Sequence, residues 1–221
     1  MPQSNPPKIH KVIDDFGRLP LADTPLATKK LSATPETILA MAIDAMIKSR
    51  PISHDLSQKA VSTLLKAGYH DIKTLEKSTW DERTMVLKDG GYNRYREQGA
   101  TNLGELAELV LGVYDGDLNN LHKASDGNVQ KVRALMKEIR GLGALGADIF
   151  LNNVQSVWPD MAPFIDSRSL KAAEEAGIET DLNAIFKELK GDCVEMSRLA
   201  NGLSMMRLEK KVKEVEGVDG E

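Results

Sequence analysis

Two features between residues 139 and 166 have residue types and a spacing that suit chemistry on a phosphate-bearing molecule. Gly141 and Gly143 lie between two segments with helical apolar periodicity, where they predict a tight hairpin. The first amides of the helix after this hairpin have no acceptor within the helix, and the helix dipole favours an anion such as a phosphate there. Asp166 follows at the start of another helix, and its carboxylate could act on the molecule to which that phosphate belongs.

Each feature also has a purely structural interpretation. Gly141 and Gly143 are equally typical of a plain turn between two antiparallel helices. Asp166 is followed by the helical stretch Ser167–Ala173, for which it would be a good N-cap. The two interpretations of Asp166 can hold together, since a cap would fix the orientation of the carboxylate.

Composition favours a helical protein with one substantial core, or a core with a small appendage. The chain has 221 residues, of which only 5% are aromatic, and Ala, Leu, Glu and Lys are abundant. No segment of useful length alternates with period two, so we expect an all-α fold of about ten helices. No apolar run approaches the roughly 18 residues that span a bilayer, and the N-terminus lacks the apolar core of a secretory signal. We therefore expect an intracellular protein that does not enter a membrane.

Cysteine, histidine and net charge narrow the function classes. The single cysteine, Cys193, excludes an intrachain disulfide framework and a four-cysteine iron–sulfur cluster. The four histidines have no companions at metal-ligand spacing, which predicts no metal site. The net charge of −4 argues against a protein that coats nucleic acid by bulk charge, so any DNA-binding face must be local.

Proline and apolar periodicity predict the domain organisation. Proline-rich residues 1–34 predict a flexible arm, disordered or draped on the domain, and 213–221 predict a disordered tail. Residues 35–212 predict one helical domain that begins with the N-cap and first-turn proline of Thr34-Pro35. Within this domain, 128–157 form the helix-hairpin-helix and 158–176 carry Asp166.

A family resemblance rests on the hairpin and the aspartate together. The pattern Ile139-x-Gly141-Leu142-Gly143-x-x-x-Ala147, then Trp158-Pro159 and Phe164-Ile165-Asp166-Ser167-Arg168, resembles the helix-hairpin-helix and catalytic-aspartate segment of the HhH-GPD DNA glycosylases, the endonuclease III-like superfamily of base-excision repair. Upstream, Gly91-Tyr92-Asn93-x-x-Arg96 is similar to a helix start in that family. The resemblance covers about residues 36–180. It implies two helical subdomains around a cleft, with the hairpin on one wall and Asp166 at the base.

The resemblance also implies roles for particular residues. The hairpin would bind a phosphate of double-stranded DNA, with a monovalent cation on its carbonyls as the one possible cofactor, through Arg140, Gly141, Leu142, Gly143, Ala144, Leu145 and Lys137. Asp166 would stabilise positive charge on the sugar as the base leaves. A flipped base would stack on one of three rings, for which core packing is the alternative: Tyr92, Tyr95 and Trp158.

Two departures from the family pattern limit these expectations. Leu145 stands where strand-cutting members have a Schiff-base lysine, so the resemblance implies a monofunctional enzyme that releases a base by hydrolysis and leaves the strand intact. We expect this protein to be a monomer. Ser167-Arg168 replaces the Thr-His pair that often follows the aspartate. The alternative is a catalytically inactive helix-hairpin-helix module that binds DNA or a protein. In a eukaryote we would expect either protein in the nucleus.

Overall fold

The computed structural model describes residues 6–27 and 30–217, and the regular structure in those two ranges is entirely helical. This confirms the all-α prediction, although the described ranges hold thirteen α-helices instead of about ten. None of these helices is long and apolar enough to cross a membrane. Two 3-10 turns, Asn93–Tyr95 and Pro159–Met161, accompany the helices. The α-helices are α1 (Pro6–Phe16), α2 (Pro35–Lys48), α3 (His54–Lys66), α4 (Ile72–Lys77), α5 (Trp80–Asp89), α6 (Arg96–Tyr114), α7 (Asn119–Ala124), α8 (Val129–Glu138), α9 (Gly143–Val154), α10 (Ser167–Glu175), α11 (Leu182–Glu188), α12 (Cys193–Leu208) and α13 (Val212–Glu216).

Helix starts follow the capping signals in the sequence. Thr34 caps α2, and its hydroxyl accepts a hydrogen bond from the Thr37 amide, with Pro35 at the first helical position. Thr79 and Glu82 form a reciprocal capping box at the start of α5. The predicted start at Thr34-Pro35 is confirmed, and both caps depend only on residues three positions apart.

The chain divides into two compact units. We call residues 21–150 the continuous unit, and residues 1–20 together with 151–221 the split unit. Helix α9 belongs to both, since the division falls between Phe150 and Leu151.

The core of the split unit contains helix α1, which lies within residues 1–34, the predicted flexible arm. In α1, Ile9, Val12 and Ile13 form one apolar face at helical spacing and are buried against α12. The Lys8 amino group also donates a hydrogen bond of 3.0 Å to the Ala176 carbonyl. The prediction of a flexible arm is therefore wrong for Pro6–Phe16, because the apolar face of α1 is buried in the core. Residues 1–5, 28 and 29 of that arm lie outside the described residues.

The predicted tail needs a similar correction. Val212–Glu216 is helix α13, and Val215 is fully buried in the core of the split unit. Val215 and the partly buried Val212 pack against this core and hold the turn, whereas the surrounding charged residues suggest disorder. Residues 218–221 of the predicted tail lie outside the described residues.

The continuous unit is built around α2, which is buried from Thr37 to Ile47. Helix α3 packs on α2 and α5, and α6 packs on α4 and α5. At the end of α6 the helical spacing of Leu106, Val110 and Val113 predicts a buried Val113, but that side chain is 62% exposed and Tyr114 is buried instead. A one-residue error of this kind turns the helical face by about 100°.

Candidate functional site

The hairpin between α8 and α9 requires its glycines. Gly141 has φ +94° and Gly143 has φ +58°, and the Leu142 amide donates a hydrogen bond of 3.1 Å to the Ile139 carbonyl to close the turn. A Cβ atom at Gly141 would overlap the amide of Asn102, which is a buried side chain on α6. No residue with a side chain fits at Gly141 without displacing Asn102.

Two contacts hold the hairpin in place within the continuous unit. The Ser49 hydroxyl, just after α2, lies 3.2 Å from the Gly141 carbonyl oxygen. Arg133 on α8 and Asp148 on α9 form a two-pronged ion pair, with Nε to Oδ1 at 2.6 Å and Nη2 to Oδ2 at 3.2 Å. The sequence does not single out this pair, because its two residues lie 15 positions apart on consecutive helices and opposite charges at such a distance are common.

The start of α9 is open to solvent. Gly143 and Ala144 are exposed, Leu145 is half-buried, and the first turn of α9 contains no acidic residue. The first amides of a helix have no acceptor in that helix, and they carry the positive end of its dipole. This end of α9 therefore has the geometry to bind an anion.

Positive charge near the hairpin is partly neutralised. Lys137 is exposed on the last turn of α8. The Arg140 guanidinium is also exposed, but it is hydrogen-bonded to the carboxylate of Glu105 on α6. A DNA phosphate that bound Arg140 would have to compete with Glu105.

Asp166 caps α10, as the sequence predicts, and the residue is 7% exposed. Oδ1 accepts hydrogen bonds from the amides of Arg168 at 3.0 Å and Ser169 at 3.1 Å. Oδ2 accepts one from the Asn152 side-chain amide at 2.9 Å and one from the Ser169 hydroxyl at 2.5 Å. The four donors are uncharged, and each carboxylate oxygen accepts from two of them.

The other aspartate caps of the split unit show how far Asp166 departs from a simple cap. Asp181 at α11 and Asp192 at α12 are exposed, and each uses Oδ1 to accept from two backbone amides. Asp166 makes the same two bonds and adds the two side-chain donors at Oδ2. The sequence signal for a cap is the same in all three cases, so the sequence could not single out the side-chain donors.

The three candidate rings differ in exposure. Tyr92 and Trp158 are each 3% exposed, and the Tyr92 hydroxyl donates a hydrogen bond of 3.2 Å to the Ile47 carbonyl at the end of α2. Burial raises the pKa of the Tyr92 phenol to about 12. Tyr95 is half-buried, with its ring 5.9 Å from that of Tyr92 and the Arg94 guanidinium 5.3 Å from its centre. Of the three rings, Tyr95 offers the most surface to a ligand.

The candidate residues fall in both units. Hairpin residues, Tyr92 and Tyr95 belong to the continuous unit, and Asp166 and Trp158 belong to the split unit. Within the continuous unit, the bond between Ser49 and Gly141 also places the loop 48–53 beside the hairpin. Arg50 and Ile52 of this loop are half-buried.

Comparison with solved structures identifies the fold. The H. pylori 3-methyladenine DNA glycosylase, in a crystal structure with 1,N6-ethenoadenine bound, superimposes with a TM-score of 0.53 and 13% sequence identity, over 94% of this chain and 99% of that chain. A trapped endonuclease III–DNA covalent intermediate gives a TM-score of 0.47 and 16% identity, over 92% of this chain and 86% of that chain. No protein-family model and no curated protein sequence matches this chain. The likeness to the glycosylase, together with the hairpin and the capping aspartate, shows that the chain has the all-α HhH-GPD fold.

Proposed function

We propose that this chain is a DNA glycosylase of base-excision repair, which hydrolyses the N-glycosidic bond of a damaged or mismatched base in double-stranded DNA and leaves the strand intact. The observation that carries the proposal is the buried, hydrogen-bonded carboxylate of Asp166 in a chain with the glycosylase fold. The exposed start of α9 supports DNA as the substrate.

The hairpin would bind the DNA backbone without reading sequence. The amides of Gly143, Ala144 and Leu145 face outward at the positive end of α9 and suit one phosphate. Lys137 and Arg140 would add charge along the same strand. Two hairpin carbonyls, those of Ile139 and Gly141, each accept one hydrogen bond and keep a second lone pair, which suits a monovalent cation.

Asp166 would act where charge develops. As the bond between sugar and base breaks, the electron pair leaves with the base and the sugar becomes positive. The carboxylate stabilises that charge and can accept the proton of the water that attacks the sugar. A change of the Ser169 side-chain torsion about its Cα–Cβ bond would move its hydroxyl off Oδ2 and make room for this water.

Leu145 bears on whether the protein would cut the DNA strand after it releases the base. At the position where strand-cutting relatives have a lysine, a leucine side chain cannot form a Schiff base with the sugar. The product would therefore be an intact strand with an abasic site.

One observation favours a second candidate, a catalytically inactive helix-hairpin-helix module that binds DNA or a protein. The Asp166 carboxylate already accepts four hydrogen bonds from the fold itself, two of them from the amides that start α10, so a structural role alone would account for its burial. In this alternative the hairpin keeps its function and Asp166 only stabilises α10.

A base-release assay separates the two candidates. Wild type, Asp166→Asn and Asp192→Asn are incubated with duplexes that carry uracil, 1,N6-ethenoadenine or another alkylated purine, an oxidised pyrimidine or an 8-oxoguanine mismatch, and then treated with alkali. If the protein is a glycosylase, we expect alkali-dependent strand breaks with wild type and Asp192→Asn, and no breaks with Asp166→Asn. Asp192→Asn controls for the loss of negative charge at a capping residue of the same unit. Absence of breaks on every duplex, with salt-sensitive DNA binding retained, would favour the module.

A further inference from the structure

The hydrogen bonds around Asp166 exceed what a helix cap needs. At Asp181 and Asp192 one carboxylate oxygen accepts hydrogen bonds from two backbone amides, and these two bonds are enough to cap α11 and α12. At Asp166 the second oxygen, Oδ2, also receives two side-chain donors. Because Oδ1 is committed to the helix, Oδ2 is the oxygen that remains for chemistry.

Asn152 on α9 forms hydrogen bonds with both the side chain and the backbone of Asp166. Its side-chain amide nitrogen donates to Oδ2 of Asp166 at 2.9 Å, and its side-chain oxygen accepts from the Asp166 backbone amide at 3.2 Å. A backbone amide can only donate, so the two contacts together fix which way the Asn152 amide points. Asn152 is 3% exposed.

The backbone of Asn152 is held as well. Its carbonyl accepts hydrogen bonds from the Ser197 hydroxyl at 2.7 Å and from the Gln155 side-chain amide at 3.1 Å. Asn152 is therefore a rigid donor, whereas the Ser169 hydroxyl on the same oxygen can rotate.

We infer that Asn152 is a positioning residue that holds Oδ2 of Asp166 in the orientation needed for base release. This inference rests on the proposed glycosylase activity. The rigid amide keeps one lone pair of Oδ2 occupied and so directs the other toward the sugar and the water. Without Asn152 the carboxylate would keep its bonds to α10 but could turn about its side-chain torsions.

The test measures single-turnover rate constants for base release, with the duplex that wild type cleaves best as the probe. Asn152→Ala should lower the rate constant by about 10- to 100-fold, since small displacements of reacting groups have effects of that size. The control is Asn201→Ala, the same substitution in the same unit, because the Asn201 amide donates to the Arg18 carbonyl and the Asn153 side chain. Rates are compared below the unfolding temperature of every variant, so that lost stability is not read as lost activity.

Asn152→Asp supplies a readout that a purely structural role would not give. Two carboxylates this close cannot both ionise easily, so the pair keeps one shared proton as pH rises from acid. While the proton is present, the new side chain donates to Oδ2 as Asn152 does, and the rate should approach that of wild type. Once the proton is lost the donor is gone, so the rate should fall with rising pH, whereas wild type shows no such fall.

The outcomes distinguish this inference from the proposed function. A slow Asn152→Ala variant, a near-normal Asn201→Ala variant and an Asn152→Asp rate that falls as pH rises support the positioning role. An active wild type with equally active Asn152→Ala, or an Asn152→Asp profile parallel to that of wild type, overturns this inference alone. A wild type that releases no base from any duplex overturns the proposed function and this inference with it.

Discussion

Replacing Gly141 by alanine tests whether close packing determines the hairpin. The φ of +94° lies outside the region that residues with side chains visit, which costs about 1–3 kcal/mol. Overlap of the new Cβ with the Asn102 amide adds about 1–3 kcal/mol, because that side chain is buried and held by Gln98. Alanine recovers about 0.4–1 kcal/mol by restricting the unfolded chain. We expect Gly141→Ala to lower the free energy of unfolding of the continuous unit by about 1–5 kcal/mol.

The second hairpin glycine provides a matched control. At Gly143 the φ of +58° lies in the left-handed region that other residues can occupy, and no atom lies within 4 Å of the position that a Cβ would take. Strain of about 1–2 kcal/mol, reduced by the same effect on the unfolded chain, leaves a loss of roughly 0–1.5 kcal/mol for Gly143→Ala.

A double-mutant cycle separates overlap from backbone strain. In an Asn102→Ala background the two closest contacts at Gly141, with Nδ2 and Cγ of Asn102, are absent and only the Cβ contact of 3.2 Å remains, so Gly141→Ala should cost about 1–3 kcal/mol less than it does in wild type. Urea unfolding would be followed by the fluorescence of Trp80, which lies in the continuous unit, in a Trp158→Phe background that silences the split unit. Additive losses, within about 0.5 kcal/mol, would refute the argument that Asn102 requires glycine at this position.

Three further predictions concern ionisable groups. Because the pKa of Tyr92 is raised to about 12, its neutral form is favoured in the fold, and stability should fall by roughly 1–3 kcal/mol as pH rises from about 10 to 12; a Tyr92→Phe variant in the same urea series should lack that fall. Glu105→Gln should tighten DNA binding several-fold at low salt by releasing Arg140, and Arg140→Gln should reduce the salt dependence by about one phosphate contact, as measured by fluorescence anisotropy; equal affinities would show that Glu105 does not compete. Arg133→Ala should cost about 1 kcal/mol in urea unfolding, with the half-exposed position limiting the loss, and exchange of Arg133 and Asp148 should recover part of it.

Local signals account for what the sequence predicts well. Thr34, Thr79 and Asp166 begin helices because each cap accepts amides two or three residues ahead. The hairpin glycines are also a local signal, because a tight turn with positive φ favours a residue without a Cβ atom. Helix α1 was predictable in principle, since Ile9, Val12 and Ile13 are at helical spacing, but its prolines suggested an extended arm.

Contacts between distant residues account for what the sequence does not predict. Asn152 precedes Asp166 by 14 residues and Glu105 precedes Arg140 by 35, and nothing in their local patterns distinguishes them from other polar residues. The requirement for glycine at Gly141 likewise comes from Asn102 on another helix. Such contacts depend on how helices pack, which periodicity alone leaves open.

The division of the split unit between two distant segments has a consequence for synthesis of the protein. Arg198 on α12 donates a hydrogen bond to the Ile13 carbonyl of α1, across 185 residues. At about 5–20 residues per second, a ribosome makes α1 on the order of ten seconds or more before α12 exists. The continuous unit can fold during that interval, because all its residues have already been made. The apolar face of α1 therefore stays without the helix that buries it until α12 has been made.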